Sequence, residues 1–184
     1  MTVTDSAKQS SSSRPVVLVP HEARWAAEFE NESTAVCGAL GDVLVALHHI
    51  GSTAVSGILA KPVIDMLAVV TDVTILDVRS SALEQLGYEV MGEFGIPGRR
   101  YFRKDSTGGE RTHQIHAFAL GSAHIDRHLS FRDYLRAHPT VAAEYAELKR
   151  VLARRFSGDR VSYTDGKTEF ITDVERRAAA WRKG

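Results

Sequence analysis

The chain has 184 residues, 43% of them hydrophobic and 25% charged, with 23 Lys and Arg set against 23 Asp and Glu. That length suits one domain with a proper core, and the balanced charge argues against a dedicated DNA or RNA binder while leaving room for a local basic pocket. A single cysteine excludes an internal disulfide framework and a cysteine-type zinc site, and no apolar run approaches membrane-spanning length, so a cytoplasmic protein is expected.

Residues 1–14 are rich in serine and lack an apolar signal-peptide core, so they are expected to form a disordered tail, leaving 15–184 as one domain. Val16 to Val19 reads as a short strand ended by Pro20. Glu22 to Leu40 is a helix with Trp25, Phe29, Val36 and Leu40 on one face, and Cys37 on it is expected as a small core side chain. Val43 to Ile50 and Val63 to Val70 are strands with few polar residues, as befits the inside of a sheet. Thr74 to Leu86 is a helix closed by Gly87, and the glycine-rich stretch Met91 to Gly98 is a mobile loop. Arg99 to Arg103 and Arg111 to Leu120 pair as a hairpin. Beyond it the chain turns helical: Ile125 to His138, a stripe from Val141 to Phe156, and a last stripe through Phe170, Val174, Ala178 and Trp181. Strands first and helices after predict an α+β fold, a small mixed β-sheet flanked by helices with a helical C-terminal portion.

The chemistry gathers around Gly51-Ser52-Thr53 and Asp65. A glycine lets backbone amides approach a ligand, and a neighbouring hydroxyl can bind a phosphate oxygen. Asp65 sits inside an otherwise apolar strand, where a carboxylate is costly without a hydrogen-bond network or a metal ion. Ser52 and Asp65 are expected to face one cleft.

This arrangement resembles the signature of the nucleotidyltransferase superfamily, in which Gly-Ser is followed on the next strand by Asp-apolar-Asp or Asp-apolar-Glu. The fuller string His49-Ile50-Gly51-Ser52-Thr53-Ala54-Val55, then Gly57 and Ala60-Lys61-Pro62-Val63-Ile64-Asp65, resembles the GrpB family more narrowly. So do Val16 to Pro20 with Trp25 and Phe29, Arg111 to His116, His128 to Arg136, and Lys167 with Phe170-Ile171. The resemblance implies a nucleotidyltransferase-like fold, and with it a divalent metal, Mg or Mn rather than Zn, held by Asp65. Two departures stand out. Leu67 replaces the second acid, which strand alternation would have placed beside Asp65, and Gln114 replaces the first member of a His-apolar-His pair that ends at His116.

The remaining candidates each have a plain structural alternative. His116 is a candidate metal ligand or acid-base group, or else fills a polar gap beside the sheet. His49 is preferred over His48 as cleft-facing. Lys61, held next to Pro62, is a candidate phosphate contact or a solvated loop charge. Among Arg99, Arg100 and Arg103, alternation separates Arg100 from the other two, and Arg100 is taken as the phosphate contact. His124 and His128 are four apart, but no zinc-protease pattern accompanies them. Arg132 is a plausible phosphate contact. Lys167 falls on an apolar stripe with Tyr163 and Phe170, so it either snorkels out or meets an anion.

Three functions are compatible with these residues: a metal-assisted transferase acting on a nucleotide or other phosphorylated small molecule, a non-redox enzyme of small metabolites using histidine acid-base chemistry, and a non-catalytic nucleotide- or coenzyme-binding module.

Overall fold

The computed structural model describes residues 15–182, so the tail expected for residues 1–14 lies outside the described residues. Six helices and five strands follow one another: α1 Arg24–Leu40, β1 Leu44–Ile50, β2 Ile64–Val70, α2 Val73–Gln85, β3 Tyr88–Val90, β4 Arg100–Asp105, β5 Arg111–Ala119, α3 Ala123–Ala137, α4 Pro139–Arg155, α5 Arg160–Asp165 and α6 Thr168–Trp181. The strands form one mixed sheet in the order β1-β2-β5-β4-β3. β2 and β5 are parallel, and the other neighbours are antiparallel.

Register decides which side chains share a face. Ile50 lies opposite Asp65, Asp65 beside Gln114, Leu67 beside His116, and His116 opposite Tyr101. Because directly opposed residues point the same way, Asp65, Gln114, His116 and Tyr101 belong to one face. The other face carries Met66, Ala68 and Val70 of β2, Phe102 of β4, and Ile115 and Ala117 of β5. It is covered by Trp25, Val36 and Leu40 of α1 and by Leu76 and Leu83 of α2.

The face that carries Asp65 is covered in part. Ile50, Leu67 and Phe118 pack with Ile125 and Leu129 of α3 and Ile96 of the preceding loop. Helices α3, α4 and α6 have their own core of Tyr134, Leu135, Ala142, Tyr145, Val174 and Ala178, which also takes in Val55 and Ile58 from the segment after Gly51. The helical layer therefore stands across a cleft from the sheet rather than closing on it.

Several local expectations are revised. Val16 to Val19 forms only an isolated bridge, Val19 to Ala60, because no further strand edge runs beside it. Cys37 is exposed: it follows Val36 by one residue and so is rotated about 100° off the buried stripe. The last stripe is broken into α5 and α6 at Gly166–Lys167, so Tyr163 and Lys167 sit on either side of a junction. The loop from Met91 to Gly98 is pinned by Met91 N–H to Tyr101 O (2.9 Å), Tyr101 N–H to Gly92 O (2.8 Å) and Gly98 N–H to the Glu93 carboxylate (2.7 Å).

Candidate functional site

The cleft is a cavity of about 450 Å³ between the Asp65 face of the sheet and helices α3 to α6. Its floor is the end of β1 with the turn after it and the start of β2. Gly51 has φ +70°, and a Cβ built there would lie 2.5 Å from Asp65 Oδ2 and 3.0 Å from its Cβ. Glycine is required twice over, once for the left-handed backbone and once for the space the carboxylate occupies. Asp65 is enclosed by protein except toward the cleft, where its side chain keeps 29% exposure. Burial raises its pKa to about 6, against the pull of Lys61 and Lys167.

Three lysines come to this spot from three elements. Lys149 of α4 is 2% exposed, donates to Ser52 Oγ at 2.8 Å and to the Leu59 carbonyl, and lies 4.6 Å over the Tyr145 ring. Burial, with Lys167 and Lys61 nearby, lowers its pKa to about 7. Lys167 and Lys61 lie over the Tyr163 ring, at 4.6 Å and 5.4 Å. Burial lowers both, Lys167 to about 8, and each feels the opposing field of Asp65. Among the described residues none of the three has a carboxylate within ion-pair distance; the pairs that line the cavity are His116 with Asp65 at 4.0 Å and Arg127 with Glu175 at 3.2 Å. Buried ammonium groups that line one cavity without ion-pair partners suit an anion.

His116 borders the other side of Asp65, with Nε2 4.0 Å from Oδ1. Arg99 donates to His116 Nδ1 at 3.3 Å. Guanidinium has no acceptor, so Nδ1 must carry the lone pair and the ring proton sits on Nε2, facing Asp65. Burial, then the nearby His128 and Arg99, depress the His116 pKa to about 3, keeping the ring neutral.

This donor set does not fit the expected divalent metal. Asp65 and Glu175 are the carboxylates that line the cavity among the described residues, Glu175 is held by Arg127, Leu67 is fully buried against Ile50 and Phe118, and His116 presents a hydrogen rather than a lone pair. Among the described residues no three His, Cys, Asp or Glu side chains gather to hold a metal ion. The lysines add repulsion for any cation. The expectation of metal on Asp65 and His116 therefore finds no support in this donor set, where side chains already supply positive charge.

The structure brings together Gly51, Ser52, Thr53, Asp65, Lys61, His116 and Lys167 around the cleft. Thr53 contributes wall rather than chemistry: its hydroxyl donates to the Val63 carbonyl at 3.1 Å and accepts from His49 Nε2 at 2.9 Å. His49 stacks on Phe29 and is held neutral by burial, which lowers its pKa to about 4, so it does not enter the cleft. Arg100 is corrected: it points to the α2 side and grips Asp77 through two bonds of 2.6 and 2.7 Å. Arg132 is corrected as well, since it donates to Asp133 and to the His49 carbonyl at 3.0 Å on the free edge of β1.

Sequence reasoning missed Lys149 and chose the wrong member of the arginine group. Lys149 had the same signal as Lys167: it lies four residues after Tyr145 on the stripe Ala142, Tyr145, Lys149, Leu152. Arg127 and His128 of α3 also line the cleft, and their Nε and Nε2 atoms are buried without a partner among the described residues.

Among solved structures the chain is similar to the GrpB protein of Enterococcus faecalis, with 36% identity, a TM-score of 0.86, and coverage of 91% of this chain and 100% of that one. It also shares its fold, at 14% identity and a TM-score of 0.51 over 74% of this chain and 44% of the other, with the Cid1 poly(U) polymerase determined with MgGTP bound. The sheet and its flanking helices are thus a nucleotidyltransferase-like fold. The UPF0157 protein YqkA of Bacillus subtilis is 42% identical over 93% of the chain, and the chain spans about half, 49%, of that relative's length. No helix of the described residues is long and apolar enough to cross a membrane. Residues 15–177 match the GrpB protein family, and the chain belongs to it.

Proposed function

We propose that the cleft binds a nucleotide or other phosphorylated small molecule and transfers a group to or from it, with side-chain ammonium groups in place of a metal. The observation that carries this reading is that Lys61, Lys149 and Lys167 line one cavity with Ser52, Lys149 bonded to its hydroxyl, and that none of the three has a carboxylate partner among the described residues. The Ser52 hydroxyl and the lysines would hold the phosphate and stabilise charge that grows on its oxygens in the transition state. Asp65, with a pKa of about 6, is ionised at neutral pH and weakly basic. As an acceptor hydroxyl attacks phosphorus, its proton would pass to Asp65, the bond to the leaving oxygen would break, and the lysines would meet the leaving oxyanion.

One feature favours a second reading, binding without turnover: Leu67 stands in the core where a second acid would have been. A single set of experiments separates the two. Calorimetric titration with each nucleoside triphosphate and with simple phosphate esters, in EDTA and then with Mg²⁺ or Mn²⁺, should show saturable binding that needs no metal and disappears in Lys149→Met. ³¹P NMR of the same mixtures with candidate acceptors then reads turnover, which should vanish in Asp65→Asn while binding persists. Binding that requires the metal and ignores Lys149, or no binding by any phosphate ester, would overturn the reading.

A further inference from the structure

The Arg99 side of the cleft contains a second cation that the phosphate reading does not use. Arg99 is only 7% exposed. Its hydrogen bonds go to neutral acceptors alone: Nε to the Glu93 carbonyl at 3.2 Å, one terminal nitrogen to the Phe94 carbonyl at 2.8 Å, and the other to His116 Nδ1 at 3.3 Å. Its ring contact, Tyr101 at 5.0 Å, is also neutral. Among the described residues no carboxylate lies within ion-pair distance of it; the nearby Glu175 is taken by Arg127 at 3.2 Å. A buried guanidinium without an anion is costly, because its charge has left water with no counter-charge to offset the loss. Of its five N–H groups, three are used and two remain.

The groups beside it are donors too. The His116 ring proton is forced onto Nε2 by Arg99, and Arg127 Nε–H is buried with no partner among the described residues. His128, 5.7 Å from the His116 ring, adds a further buried nitrogen without a partner. These side chains line the same cavity as Lys149; within it His116 lies toward Oδ1 of Asp65, whereas Gly51 lies against Oδ2.

We infer that Arg99, His116 and Arg127 form a second oxyanion subsite, so that the cleft takes a ligand, or a donor and acceptor together, with two anionic groups flanking Asp65. The inference rests on the phosphate reading for the first anion only. The second is a carboxylate or a terminal phosphate, and both would use the same unspent N–H groups.

The test is a titration of the full chain with three sets of phosphorylated probes, short phosphorylated hydroxy acids, the matching bisphosphates and the phosphorylated alcohols that lack the second anion, and with simple dicarboxylates beside them. Charge-assisted bonds to a buried guanidinium predict that at least one doubly anionic set binds about tenfold or more tighter than the alcohols. Arg99→Gln should erase that gap and leave the alcohols' affinity unchanged. Preference for the acids or for the bisphosphates identifies the second anion. Equal affinity of all three sets in the wild-type protein overturns the subsite and leaves the phosphate reading standing. Simple dicarboxylates that bind through Arg99, with phosphorylated alcohols that do not bind at all, would keep the subsite and remove the phosphate reading. A ¹⁵N spectrum of the ligand-free protein adds a readout that needs no variant: the His116 proton should be on Nε2, and a proton on Nδ1 overturns the donor arrangement.

Discussion

The two faces of the sheet treat charge in opposite ways. On the side of α1 and α2, charged groups that lie inward find partners. Glu32 accepts from Tyr88 Oη at 2.9 Å and Lys104 Nζ at 2.8 Å, and Arg100 grips Asp77. On the cleft side, Lys149 and Arg99 are 2% and 7% exposed, yet they bond to a hydroxyl, three carbonyls and an imidazole. Pairing on the closed face completes the fold. The open face keeps cations unpaired where only a ligand can complete them, which is what a binding site for an anion requires.

The sharpest way to break this picture is at Gly51. Gly51→Ala puts a methyl group against the Asp65 carboxylate and strains a φ of +70°. It should destabilise the protein by about 2–4 kcal/mol in denaturant titration and abolish phosphate binding. Adding Asp65→Gly removes the clashing atoms and should recover the part of the loss that is not backbone strain. No recovery would mean that the carboxylate and the turn are not packed as described.

A paired comparison tests the faces directly. Lys149→Met removes an uncompensated buried charge and should leave thermal stability unchanged or raise it by about 1–4 kcal/mol. Glu32→Met removes the acceptor from two donors and should lower it by about 1–3 kcal/mol. If both variants destabilise alike, Lys149 is a structural lysine and the contrast fails.

Acid should act through the buried imidazoles. His49, His116 and His128 have pKa values held near 4, 3 and 4 by burial, so they bind protons less readily than in the unfolded chain, where the ordinary value is 6.5. Their contribution is complete above pH ~6.5 and is lost as pH falls toward 4, each at up to about 1.4 kcal/mol per pH unit. Asp65, raised to about 6 from 3.8, works the other way in the upper part of that window and offsets about one of the three. Urea melts from pH 7 to 4 should therefore show a net loss, reduced in His128→Gln.

The smallest expected effect belongs to the lysines. With Lys149 near 7 and Lys167 near 8, their charge fades as pH rises. Sulfate keeps its charge across this range, so its affinity should fall about tenfold or more between pH 6.5 and 9. Affinity that is flat with pH would place the anion away from these two side chains.

The sequence by itself determined the local grammar. The apolar runs of β1 and β2, the glycine between them and the lone carboxylate in β2 were all legible, because strand alternation and the cost of a buried charge operate over a few residues. The resemblance to the family was legible for the same reason, in contiguous strings. What the tertiary structure decided was which charges meet. Alternation could separate Arg99 from Arg100, but only the register of β4 on β5, Tyr101 opposite His116, says which of the two faces the cleft. Lys149 reaches Ser52 across 97 positions of sequence, and nothing in the spacing of α4 states that distance. The fate of Leu67 was settled in the same way. A missing acid reads in one dimension as a gap, whereas in three dimensions the position is packed core between Ile50 and Phe118, and lysines from other elements supply the charge of the site. Side-chain charge acts through space over several ångströms, so the partners that matter are those that folding brings near, whatever their separation in the chain.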